Sequence, residues 1–160
     1  ESEFVDIDFD DSASNGEIAE KLGRALPPDM KVLKIGEPEI SANDICSALY
    51  HVVLKGSGIS KESLESFFEK EDIPAVKKTK KGEKTVNLKD YIKSFKITGA
   101  EDGEAELELV LSAGGSANIK PAIVADKIFE HSGCGDEAFC MICRKEIYYS
   151  KPNGETALFE

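Results

Sequence analysis

Seven lysines fall between Lys77 and Lys93, and against Glu83 and Asp90 they leave that stretch net +5 in a chain whose formal charge is −11. Clustered ammonium groups suit phosphate, because each neutralised phosphate adds to a salt-dependent affinity. Lys77, Lys78, Lys80, Lys81 and Lys84 sit closest together, around what reads as a hairpin tip. RNA is the expected anionic partner there, with an acidic protein surface as the other candidate. Single-strand recognition usually adds aromatic stacking platforms, and here only Tyr91 lies close by in sequence. The plainer reading is an exposed turn whose lysines keep a strand edge soluble and unpaired.

His131, Cys134, Cys140 and Cys143 are four soft ligands within thirteen residues, and C-x2-C is the usual zinc knuckle. However, Cys140 and Cys143 flank Met141-Ile142 in a strand-like stretch, where residues three apart point to opposite faces. The spacing also departs from the C-x3-C-x2-C of radical SAM iron–sulfur sites, so no metal or cofactor is expected. Asp6, Asp8, Asp10 and Asp11 invite calcium, but Asp11 stands where an EF-hand loop needs glycine. Their alternation with Val5, Ile7 and Phe9 reads instead as a strand with an acidic outer face. Gly114-Gly115-Ser116-Ala117-Asn118 leads into a helix without matching a dinucleotide or P-loop fingerprint, and it reads as a flexible loop ending in a cap. His51 falls mid-strand and His131 near a helix end, and neither has a serine or cysteine partner that the sequence places beside it. No set of residues here amounts to a catalytic centre.

These side chains must be positioned by an ordinary globular chain. Hydrophobic residues make up 41% and charged residues 32% of 160 residues, which suits a folded protein with one good core or two small ones. No apolar run approaches the roughly 20 residues of a membrane span, and no charged-then-apolar leader opens the chain. Four unevenly spaced cysteines do not resemble a secreted disulfide framework, so the cytoplasm is the expected compartment.

Along the chain, Val5–Phe9 reads as a strand. Ile18, Leu22, Ala25 and Leu26 form a helical face that Pro27-Pro28 ends, and Met30–Ile35 reads as a second strand. Residues 1–40 are thus expected to be a partial β-α-β unit, and the polar segment Glu37–Ser47 a linker. The main domain, residues 48–150, opens with a strand over Leu49–Lys55. Ser60 caps a helix that buries Leu64, Phe67 and Phe68. Two hairpins follow, one from Ala75-Val76 to Thr85–Leu88 around Gly82, the other from Ser94–Thr98 to Ala105–Leu111 around Asp102-Gly103. Pro121, Val124, Ala125, Ile128 and Phe129 mark one helix face, and Phe139–Tyr149 a closing strand. The order β-α-β(β)-β-β-α-β predicts an α+β, ferredoxin-like unit with an inserted hairpin. Residues 151–160 read as a weakly structured tail.

Several segments resemble a radical-SAM-linked bacterial protein family of unknown function, whose members occur alone or fused behind cobalamin-binding radical SAM proteins. The matching pieces are Glu3–Phe9, Lys21-Leu22 with Ala25-Leu26-Pro27, and Val86-Asn87-Leu88-Lys89 with Tyr91-Ile92. They continue through Asn118-Ile119-Lys120-Pro121 to Arg144 and Ile147-Tyr148. The family usually has aspartate where Asn87 stands and Arg-Pro where Lys89-Asp90 stand. The resemblance implies an arginine- and histidine-rich segment ahead of Glu1, a radical SAM protein as partner, and RNA-related surroundings. The chain is therefore expected to be a non-catalytic RNA-binding or adaptor module. The alternatives are a protein–protein docking module that uses its acidic faces, or part of an enzyme completed by the segment ahead of Glu1.

Overall fold

Leu107, Leu109 and Leu111 are buried to 1% exposure or less, while Glu106 and Glu108 between them face outward. That period of two can only be satisfied by a strand with one face on a core. The computed structural model describes residues 5, 7, 13–38, 40–79, 82–115 and 117–159. They divide into two units, residues 2–42 and 43–160. Among the described residues no helix is long and apolar enough to cross a membrane.

In the first unit, α1 spans Asn15–Ala25. Ser14 caps it in a reciprocal box: Glu17 N–H donates to Ser14 Oγ, and Ser14 N–H donates to Glu17 Oε2 at 2.9 Å. That bond holds the Glu17 carboxyl below its ordinary pKa. The helix stops at Leu26, which adopts the extended backbone required before Pro27. The strand expected over Met30–Ile35 is not formed, and residues 31–38 have no regular structure. Leu33 is 80% and Met30 56% exposed, so no described residue buries them. Asp6, Asp8, Asp10 and Asp11 lie outside the described residues, as does most of the strand expected over Val5–Phe9.

The second unit runs β1 (Ile45–Lys55), α2 (Lys61–Glu69), β2 (Pro74–Thr79), β3 (Gly82–Asn87), β4 (Ile92–Glu101), β5 (Glu104–Ser112), α3 (Pro121–Ser132), β6 (Phe139–Ser150) and β7 (Thr156–Leu158). Five strands form one antiparallel sheet in the order β4-β5-β1-β6-β7, and β2 pairs only with β3. The path from β1 to β4 therefore skips β5, and the path from β5 to β6 skips β1. These interleaved β-α-β crossovers are the expected ferredoxin-like α+β arrangement, with the β2–β3 hairpin inserted in the first of them. Two boundaries differ from expectation. β1 begins at Ile45, inside the segment read as a linker, because Ile45 and Ser47 pair with Tyr149 and Tyr148 of β6. The supposed tail turns at Asn153-Gly154 and adds β7 beside Tyr148–Ser150.

Both helices cover one face of the sheet. α2 buries Leu64, Phe67 and Phe68; α3 buries Val124, Ala125 and Ile128. They close over Val52, Leu54, Leu107, Leu109 and Leu111, and Ala75 and Val86 of the hairpin join the same cluster. Residues directly opposite in a ladder share a face. The other face therefore carries His51, Val53 and Lys55 of β1, Glu104, Glu106 and Glu108 of β5, and Phe139, Met141 and Cys143 of β6.

Candidate nucleic-acid interface

Pairing in the hairpin sorts the lysines. Lys77 stands opposite Lys84 and Lys78 opposite Glu83, with Thr79 and Gly82 as the last pair before the tip. Lys77 shares its face with Ala75 and Val86 and turns toward the domain. Its Nζ donates to the Asn118 carbonyl and lies 5.3 Å from the centre of the Tyr91 ring, a cation–π contact. Lys77 thus tethers the arm to the segment before α3. Lys78 and Lys84 are exposed, and neither makes an ion pair among the described residues. Lys80 and Lys81 lie outside the described residues. The other two lysines of the stretch are elsewhere: Lys89 Nζ donates to the Phe68 carbonyl at 2.8 Å, and Lys93 lines a shallow concavity that also takes in Cys46 and Tyr148. The charge run is therefore not one continuous surface.

The base of the arm is fixed by Asn87. Its Oδ1 accepts the backbone N–H groups of Ile73 and Lys89, each at 3.0 Å. Only an oxygen is needed for those two bonds, so an aspartate at this position would make them as well. Tyr91 and Asn118 were not legible as anchors, since Asn118 is 41 residues from the lysine it meets.

The four soft ligands are dispersed. His131 Nδ1 accepts from Lys70 Nζ at 2.6 Å. The Cys134 sulfur abuts Gly56, Cys140 packs against the core, and Cys143 stands on the opposite sheet face across from His51. Among the described residues no group of three or more His, Cys, Asp or Glu side chains could hold a metal ion. Burial pushes the Cys134 and Cys140 thiols above their ordinary pKa, which keeps them protonated.

His131 is shifted the other way. Burial first, and the Lys70 ammonium second, hold it below the usual histidine pKa. The unfolded chain therefore takes up a proton near pH 6.5 while the folded chain resists it, so stability is retained above about 6.5 and lost as pH falls toward the folded value. Urea midpoints measured from pH ~8 to ~5 should decline on the acid side. A His131→Gln variant should flatten that limb. An unchanged acid limb in the variant would remove His131 from the account.

The sheet face opposite the helices carries Glu104, Glu106 and Glu108 in a row. Lys55 pairs with Glu104 at 2.9 Å, His51 lies 3.5 Å from Glu106, and Lys96 lies 3.9 Å from Glu108. Carboxylates across that surface oppose a stacked polyanion. At one end β7 helps to form a shallow concavity of about 440 Å³, lined by Cys46, Ser47, Lys93, Val110, Tyr148 and Thr156. The Tyr148 hydroxyl donates to Glu146, which pushes the phenol up to about 12. The sequence signal for this end was the short Thr156–Leu158 run after Asn153-Gly154.

A family model described as an uncharacterized protein conserved in bacteria, DUF2344, matches residues 1–121. That span holds the hairpin and ends at the first residue of α3, short of Arg144, Ile147 and Tyr148. No curated protein and no solved structure matches the chain.

Proposed function

We propose, on the premise that the chain belongs to the bacterial family DUF2344, that it is a non-catalytic RNA-binding module whose β2–β3 arm meets the phosphate backbone. One observation carries this reading: Lys78 and Lys84 are exposed, without ion pairs among the described residues, on the two faces of a two-stranded sheet of its own. The sequence puts Lys80 and Lys81 between those strands. On the five-stranded sheet, by contrast, Lys55 and Lys96 stand beside Glu104 and Glu108. Lys77 serves the site by holding the arm in place. A radical SAM protein is the companion that the sequence resemblance supports, with this chain presenting RNA to it or adapting between the two.

The test is a salt titration of binding to a mixed cellular RNA pool. Each single-strand phosphate contact adds a slope of about 0.7 in log K against log salt. Changing Lys78, Lys80, Lys81 and Lys84 to Glu should abolish most of that slope and weaken binding more than about tenfold at low salt. Lys77 is left in place so that the arm keeps its tether. Binding that ignores salt, or survives the quadruple change, overturns the reading in favour of docking to a protein.

A further inference from the structure

The β2–β3 arm carries no aromatic side chain. From Pro74 to Asn87 it has five lysines and one glutamate, and the rest are Ala, Val, Thr, Gly, Pro and Asn. The nearest ring in sequence, Tyr91, has Lys77 Nζ over it, and the next, Phe95, is stacked on Phe68 at 4.0 Å. Proteins that hold single-stranded RNA stack its bases on such rings, at about 1–3 kcal/mol per base. The arm also lacks arginine, and its one amide, Asn87, is engaged by the backbone N–H groups of Ile73 and Lys89. What it offers is ammonium and hydroxyl groups, which suit phosphate and sugar and do not read bases.

Those groups also point two ways. Lys78 shares a face with Val76, Glu83 and Thr85, all exposed, whereas Lys84 stands exposed on the other face beside Lys77. A single strand has one phosphate backbone, which lies along one face of a ribbon. A duplex has two, on either side of a groove. RNA duplexes are held by phosphate and 2′-hydroxyl contacts across a groove, largely without regard to sequence.

We infer that the ligand of the arm is double-stranded RNA, with β2–β3 set across a groove so that Lys78 meets one phosphate backbone and Lys84 the other. This rests on the RNA-binding reading of the same arm and names the form of RNA it takes. Lys80 and Lys81, between the two strands in sequence, add charge to the same end. The exposed Thr85 hydroxyl lies on the Lys78 face, where it can meet a 2′-hydroxyl.

The test is fluorescence anisotropy of the full chain with an RNA duplex of about 16 base pairs, the span of a known duplex-binding module. At about 50 mM salt the duplex should bind at least about tenfold tighter than an unpaired strand of equal length, and a scrambled duplex should bind equally. Lys78→Gln and Lys84→Gln, made separately, should each lower the salt slope for the duplex by about one. Both side chains are exposed, so neither change should move the urea midpoint. A single strand that binds as tightly as the duplex overturns the inference and leaves the RNA-binding arm standing. So does a slope that only one of the two changes lowers, because one face then makes all the contacts. A DNA duplex that binds equally well overturns the assignment to RNA. Binding to none of these probes overturns the RNA-binding reading itself.

Discussion

Replacing Phe67 by alanine should remove about 3–5 kcal/mol of stability, a large share of the 5–15 kcal/mol that holds a domain of this size together. Phe67 is 1% exposed on the inner face of α2. Its ring meets Phe68 edge-on at 5.1 Å and the His131 imidazole at 5.7 Å, so it fills the seam between α2 and α3. Truncation removes the transfer free energy of the ring and leaves a cavity between two helices that the sheet holds in place. The urea midpoint should fall while the slope of the transition stays the same. Phe95→Ala is the comparison. Phe95 also stacks on Phe68, at 4.0 Å and 10°, yet it is 43% exposed and its loss leaves an open surface. It should cost well under half as much. Equal losses would mean that the aromatic pair, not burial, sets the energy of this seam.

The contrast between these two phenylalanines also explains what the sequence could and could not say. Elements buried on one side announce themselves through their period. Leu107, Leu109 and Leu111 mark β5, the Pro121–Phe129 face marks α3, and Asp102-Gly103 and Gly82 mark the hairpins; all formed close to where the pattern put them. The apolar run Met30–Ile35 formed no strand, because such a run predicts one only where a neighbouring strand accepts its hydrogen bonds. The start of β1 and the whole of β7 were missed for the converse reason. Ile45–Ser47 and Thr156–Leu158 carry little hydrophobic signal, and their pairing with Tyr148 and Tyr149 is decided by the arrangement of β6.

At the hairpin the residue types were legible and their disposition was not. A run of lysines reads as one patch along the chain, but a strand sends alternate side chains to opposite faces. Lys77 therefore turned inward to Tyr91 and Asn118, and Lys78 outward beside Glu83. Lys89 was withdrawn to a helix-end carbonyl, which no charge count could foresee. Conversely, β7 pairs with only Tyr148–Ser150 of β6, a property of the ladder that has no sequence motif.

Gly58→Ala should be the most damaging single-methyl addition in the β1–α2 connection, at about 2 kcal/mol or more. Gly58 has φ +87°, and a Cβ there would lie 2.2 Å from the Ser132 carbonyl oxygen at the end of α3. Neither side can easily withdraw. Gly56 N–H donates to the Gly103 carbonyl at 2.9 Å, Gly103 N–H donates to the Ile59 carbonyl at 2.9 Å, and Ile59 is buried to 1%. Ser132 is held in turn by its hydroxyl bond to Ser63 Oγ at 3.3 Å. The added methyl must therefore push the last turn of α3 away from α2, which is the seam that Phe67 fills. Gly103→Ala separates the two costs. Gly103 has nearly the same backbone, φ +85°, but the nearest atom to its Cβ is the Gly56 carbonyl oxygen at 3.8 Å, an ordinary contact. It should show the conformational strain alone, about 1 kcal/mol. The difference between the two urea midpoints then measures the close approach of the β1–α2 loop to α3. If the two variants lose the same stability, the loop has room to move and Ser132 does not constrain it.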